Sequence, residues 1–179
     1  MLVLIGASAS GKTEIAKRLI EGYGFEKMIT YTTREKRPGE IDGIDYHFLS
    51  TEQFKERLAQ NFFLETVHYN QHFYGTAFED TKPNRVLIVE PKGANVIYEA
   101  MNDKNLYCLI ESPEALRVKR MEARGDHLSD IKRRIQNDRK RFDKKRFTHI
   151  DHIIQNQEDT TIDALAAHIY ALYQKHITP

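Results

Sequence analysis

GASASGKT, Gly6 to Thr13, fits G-x-x-x-x-G-K-[ST] at every fixed position, and its reading decides the fold. It follows the apolar run Leu2 to Ile5 and precedes a stretch of helical spacing from about Thr13 to Glu21, the strand, loop and helix that this pattern requires. Gly6 and Gly11 let the backbone curl until successive N–H groups converge on a β-phosphate, and the N-terminus of the following helix adds its positive end. Lys12 is expected to reach the β- and γ-phosphates. The Thr13 hydroxyl is expected to serve Mg²⁺, which takes octahedral oxygen ligation and keeps several waters beside the phosphates. The motif is therefore a P-loop, and Gly6, Ala7, Ser8, Ala9, Ser10, Gly11, Lys12 and Thr13 form the expected ATP site. A plain glycine turn with an exposed lysine would leave the flanking strand and helix unexplained.

Outward from the loop the chain alternates. Further strands are predicted at Phe62 to Val67, Val86 to Glu90, Leu106 to Ile110 and near Ile150 to Ile154. Helices are predicted from about Gly93 to Met101, Pro113 to Ala123, Ser129 to Arg141 and Thr161 to Lys175. Continuously apolar strands separated by helices imply an α/β fold with a parallel sheet covered on both faces. The polar middle, about Thr30 to Asn84, reads as irregular and as a separate subdomain. No internal repeat or low-complexity segment is present.

The 179 residues suit one domain, and a hydrophobic share of 40% with 30% charged describes a globular protein. The apolar runs are far too short to cross a membrane. They begin at Met1 with no basic flank or small-residue cleavage site, unlike a signal peptide, so the expected location is cytoplasmic. The single cysteine, Cys108, excludes an internal disulfide and a cysteine-built zinc cluster; within NLYCLIE it reads as an inert buried strand residue. A net charge of +1 gives no global argument for nucleic acid. Locally, Arg117 to Arg146 carries thirteen Lys and Arg against five Asp and Glu.

TTREKRPGEIDGIDYHF, Thr32 to Phe48, reads as a loop broken by Pro38, Gly39 and Gly43. Arginine pairs bidentately with phosphate, so Arg34 and Arg37 three residues apart suit a phosphate monoester better than lysines would. Glu40 would orient those arginines and Tyr46 would add a hydroxyl donor. A solvated charged loop is the alternative for this stretch taken alone.

Several motifs now stand in one order: the P-loop, TTR-x-x-R-x-GE-x-x-G-x-DY-x-F, YGT at Tyr74 to Thr76, a strand-end acid before Gly93, RGDHLSDIKRR, and an Asn near the last strand. Together, over nearly the whole chain, they resemble the guanylate kinases, which transfer the γ-phosphoryl group of ATP to GMP. The resemblance implies a P-loop kinase fold with a parallel core sheet flanked by helices (about 1–29 and 85–179), a small mixed β acceptor-binding subdomain (about 30–84) and a helical lid (about 120–134). It implies ATP and Mg²⁺ as cofactors, ATP and GMP as substrates, no nucleic-acid or membrane partner, and a monomer or homodimer. Arg34, Arg37, Glu40, Tyr46 and Tyr74 are then the expected cradle of the GMP phosphate, with Thr30, Glu65, Gly75, Thr76 and Glu90 toward the nucleoside. Arg120, Arg124 and Arg134 match the lid arginines, and Asn156 the ATP side. Guanine supports Glu65 in its own right, because its adjacent imino and amino donors suit one carboxylate; from FFLETV alone a solvent-facing strand residue is the plainer reading. Arg139, Lys140, Arg141, Lys144, Lys145 and Arg146 match no lid position and read as a solvated helical face.

The chain also departs from the family pattern. The strand that usually ends D-x-D reads IVE, so Ile88 and Glu90 stand at the two aspartate positions, followed by Pro91 and Lys92. The lid is one residue short, and the P-loop reads GASASGKT where GPSGxGKS is commoner. Two other readings are a kinase for another phosphate-bearing acceptor, such as ribose 1,5-bisphosphate, and a catalytically inactive binding domain. Glu65 and YGT argue against the first, and Lys12 and Thr13 against the second.

Overall fold

Strand β1 (Leu2–Ile5) is buried along its whole length at the centre of a five-stranded sheet. The computed structural model describes residues 1–36, 39–69, 71–78, 81–101 and 104–178. β1 pairs in parallel with β7 (Arg85–Val89) on one side and β8 (Leu106–Glu111) on the other. β2 (Glu26–Lys27) and β9 (His152–Gln155) complete the order β2-β7-β1-β8-β9, all parallel.

The pleat sends alternate residues of β1 to opposite faces. Leu2 and Leu4 pack with Ile15 and Leu19 of α1 (Lys12–Tyr23) and Leu165, Ile169 and Tyr173 of α6 (Ile162–Ile177). Val3 and Ile5 pack with Ala94 and Ile97 of α3 (Pro91–Met101). A side chain of this size taken fully out of water contributes about 1.5–3 kcal/mol, and with both faces covered the strand has no polar side to show. α3 starts at Pro91, two residues before the expected Gly93, since proline suits the first helical position.

The polar middle is not irregular. It holds a second, mixed sheet in the order β4-β3-β6-β5, built from β3 (Tyr31–Thr32), β4 (His47–Phe48), β5 (Phe63–Tyr69) and β6 (His72–Ala77). It also holds an unexpected helix, α2 (Thr51–Ala59), opened by a capping box: Gln53 N–H donates to Ser50 Oγ at 3.1 Å, and Ser50 N–H to Gln53 Oε1 at 2.9 Å. Phe54 of α2 is fully buried and stacks on Phe63 at 4.4 Å. Two-residue strands are too short for period-2 alternation to register, which is why β3 and β4 escape a sequence reading. Two more helices, α4 (Glu114–Ala123) and α5 (Leu128–Arg141), stand over the end of β1 with Met121, Ile131 and Ile135 buried between them.

Candidate active site

The glycine loop leaves β1 and turns into α1 through Gly11, whose φ of +99° belongs to the left-handed region. A β-carbon there would fall 2.2 Å from the Asn156 amide nitrogen. Asn156 is fully buried; its Nδ2 donates to the Ser10 carbonyl at 2.8 Å and its Oδ1 accepts from Arg120 at 3.0 Å. Arg120 also donates to the Ala9 carbonyl at 3.3 Å and to Ser112 Oγ at 3.1 Å. Both residues therefore hold the loop from behind. The Lys12 ammonium is bonded to the carbonyls of Gly6 and Ala7, the latter at 2.8 Å. Burial lowers its pKa to about 8, an effect that Asp138 and Glu90 partly offset. Thr13 is exposed on the wall of a cleft of about 550 Å³ that also touches Thr30, Tyr46 and Ile88. An exposed hydroxyl at the start of α1 fits a Mg²⁺ ion carried mainly by phosphates, and among the described residues no three His, Cys, Asp or Glu side chains lie grouped as ligands.

Thr30, Tyr46 and Ile88 also line a second cavity, of about 290 Å³, so the two spaces share a wall. Glu65, Tyr74, Gly75, Thr76, Glu90 and Gly93 line it as well, with Val67 and Val89 between them. The structure thus brings together seven of the residues named for the acceptor. Gly75 is required by packing, because a β-carbon there would sit 2.7 Å from the Phe63 ring. Arg34 stands behind Tyr46, its guanidinium 5.5 Å from that ring and bonded to both Glu40 oxygens at 2.7 and 3.0 Å. The Glu40 bond holds the guanidinium firmly charged. Arg37 lies outside the described residues.

Glu65 faces the cavity and not solvent, at 8% exposure. Its Oε1 accepts from the Thr76 hydroxyl at 2.8 Å, while its Oε2, beside Gly93, is a buried oxygen with no hydrogen-bond partner. Burial raises the carboxyl's pKa. Such an atom costs free energy unless a ligand donor meets it.

The helix pair carries two features that the sequence did not announce. Arg124 chelates Asp126 at 2.6 and 2.9 Å, and Arg134 reaches the same carboxylate at 3.4 Å, so both are paired at the α4–α5 turn. Arg117 and Asp138 form a buried pair at 2.8 Å, and Asp138 accepts the Ser8 N–H at 3.0 Å. The sequence offers one signal for this pair, an acid embedded in a basic run. The basic run itself is not a uniformly solvated face. Arg141 binds Glu90 at 2.6 and 2.9 Å, Arg139 binds Glu114 at 2.5 and 2.9 Å, and Lys144 lies 3.2 Å from Glu111. These three basic side chains find acids on other elements, which helical spacing cannot reveal, while Lys140, Lys145 and Arg146 are exposed, as a solvated face requires. Ile88 is 38% exposed on the wall common to the two cavities. Cys108 is fully buried, its thiol pushed up to about 12. No helix among the described residues is long and apolar enough to cross a membrane.

A glycine loop ending at one cleft, with an unsatisfied carboxylate in the cavity that shares the cleft's wall, can be compared with known proteins. A family model described as guanylate kinase matches residues 1–172. The guanylate kinase of Chlorobaculum tepidum is 30% identical over 179 aligned residues, covering 94% of this chain and 91% of its own. That of Sulfurimonas denitrificans is 32% identical over 165, covering 87% and 79%. Among solved structures, the guanylate kinase of Anaplasma phagocytophilum superposes over 100% of this chain and 86% of its own with a TM-score of 0.76 at 20% identity, a likeness of fold. With the family model spanning the sheet, the loop and the cavity alike, this chain belongs to the guanylate kinase family of nucleoside monophosphate kinases.

Proposed function

We propose that the chain transfers the γ-phosphoryl group of ATP directly and in line to the phosphate of GMP or dGMP. The observation that carries this reading is Glu65 Oε2, the one buried side-chain polar atom without a partner among the described residues. Guanine presents an imino and an amino donor side by side, and a carboxylate with one oxygen already oriented by Thr76 can accept both. Adenine would set a ring-nitrogen acceptor against the same oxygen, and sites built on buried polar pairing reject such mismatches strongly.

The chain's own groups supply positioning and charge. Arg34, fixed by Glu40, takes the acceptor phosphate, with Arg37, Tyr46 and Tyr74 completing that cradle. Lys12 leaves the loop carbonyls for the triphosphate. Arg120 keeps the loop in shape from behind, and Arg124 and Arg134 swing from Asp126 onto the transferring group as the lid closes and water is excluded. Bound with ATP, Mg²⁺ would neutralise phosphate oxygens, with the Thr13 hydroxyl as its protein ligand. In this reading the second sheet is an acceptor-binding unit and the α4–α5 turn a lid.

The test is ADP formation from ATP and Mg²⁺ with GMP, dGMP, AMP, CMP, UMP and a ribose phosphate, each against a blank without acceptor. Turnover confined to GMP and dGMP is expected. Equal turnover with AMP would remove Glu65 as a guanine reader, and turnover only with the ribose phosphate would replace the acceptor altogether.

A further inference from the structure

We propose that Arg117 and Asp138 are positioning residues for the nucleotide loop: together they hold Ser8 so that Ala9 can keep a left-handed backbone and the loop its phosphate-binding shape. The inference rests on reading the loop as an ATP site and is independent of the acceptor's identity.

Arg117 on α4 and Asp138 on α5 are each 7% exposed and meet at 2.8 Å. Asp138 accepts the Ser8 N–H at 3.0 Å and the Ser8 hydroxyl at 3.4 Å, while Arg117 donates to the Ser8 carbonyl at 3.3 Å. One ion pair thus engages every polar group of one loop residue. The next residue, Ala9, has φ +58°, a conformation in which a β-carbon crowds the following carbonyl. Glycine takes that conformation without strain; alanine needs its surroundings to impose it. The surroundings come from the same two helices. The Ala9 methyl packs on the Val118, Met121, Ile131 and Ile135 cluster, and Arg120 binds its carbonyl.

Stability does not account for an ion pair in this place, because apolar side chains of similar size often serve a buried site as well or better. What an apolar pair cannot supply is the set of bonds to Ser8. The loop's curvature, which glycine alone would provide at this position, is provided here by a brace from the lid-bearing helices.

The test removes both charges together, so that no bare charge is left beside the phosphates. ADP binding by calorimetry, melting temperature and GMP-dependent turnover are compared for the wild type, Arg117→Met/Asp138→Val, Ala9→Gly and the triple variant. The double variant is expected to melt near the wild type yet bind ADP about tenfold more weakly, the scale of one or two lost charge-assisted hydrogen bonds. Its kcat is expected to fall with the KM for GMP unchanged, and Ala9→Gly in that background to restore most of the ADP affinity. A double variant that binds ADP like the wild type, or one that Ala9→Gly does not rescue, overturns the brace. Should the double variant not fold, Asp138→Asn takes its place: non-additivity with Ala9→Gly supports the brace and strict additivity overturns it. A wild type that binds ADP but turns over no GMP sinks the acceptor reading and leaves the brace to be decided by ADP binding; one that binds no ADP sinks both.

Discussion

Burial acts in opposite senses on Lys12 and Glu65, and in each case against the charged form that the proposed reaction needs. Lys12 gives up its proton at about pH 8 in the folded chain, well below its ordinary value, because burial penalises the ammonium. ATP affinity is therefore expected to weaken as pH rises through about 8, which calorimetry across pH 7 to 9.5 checks; Lys12→Ala is expected to abolish turnover. Glu65 holds its proton to higher pH than an ordinary carboxylate, again through burial. The KM for GMP should rise on the acid side, from a point above the usual carboxylate range, while the KM for ATP stays level. The sign for stability follows: Glu65 contributes fully below its unfolded value and loses that contribution as pH rises through the folded one, whereas the cost of burying Lys12 is present at neutral pH and eases above about 8. Glu65→Gln keeps an oxygen for Thr76 but turns a donor toward guanine's donors. A rise of about 10²–10³ in the KM for GMP is expected, and an unchanged value would remove Glu65 from the base.

At the scale of elements, the turn between α4 and α5 carries the charge that the proposed mechanism moves onto the phosphates. Arg124 and Arg134 share Asp126 at the surface, where an ion pair is worth little and is easily exchanged for phosphate. Arg124→Ala and Arg134→Ala are each expected to lower kcat by about 10²–10³ with little change in either KM, as for groups that act on transition-state charge. Helix α2 lines neither cavity. Ser50→Ala should cost about 1 kcal/mol of stability by removing the cap, read as a shift in denaturant midpoint with turnover unchanged. Both elements differ in how far the sequence showed them. RGDHLSDIKRR is visible as a basic helical stretch with a glycine break, yet which acid each arginine meets depends on a second element. The cap of α2 was legible as S-T-E-Q ahead of Phe54, a local signal masked by the polar composition around it.

At the scale of the molecule, the parallel sheet carries the loop and the mixed sheet carries most of the proposed acceptor cavity, with Thr30, Tyr46 and Ile88 as the wall common to it and the cleft beside the loop. Ligands that span the two sheets should therefore stabilise them jointly. At about 100 times its Kd a ligand adds roughly 2.7 kcal/mol, which at about 2–4 °C per kcal/mol raises the Tm by about 5–10 °C. ATP and GMP analogues together are expected to raise the Tm by more than the sum of their separate shifts, because closure orders both sites at once. Simple additivity in a thermal melt would mean that the two sites fill without coupling.

The sequence alone determined what is local. A glycine loop between an apolar run and a helical period fixes strand, turn and helix through backbone sterics and hydrogen bonding within a few residues, and the alternation after it fixes a covered parallel sheet. It also supplied the proposed acceptor residues, but through a pattern spread over the chain; no single stretch marked Glu65, which by its own neighbours belongs on a solvent-facing strand. Only the tertiary structure decided the partners: that Glu65 has one oxygen satisfied and one waiting, that Arg141 spends itself on Glu90, and that Arg117 and Asp138 meet at Ser8 across 109 and 130 residues of chain. Burial and ion pairing are set by which surfaces meet when the core closes, and a periodicity of two or 3.6 residues carries no record of that meeting.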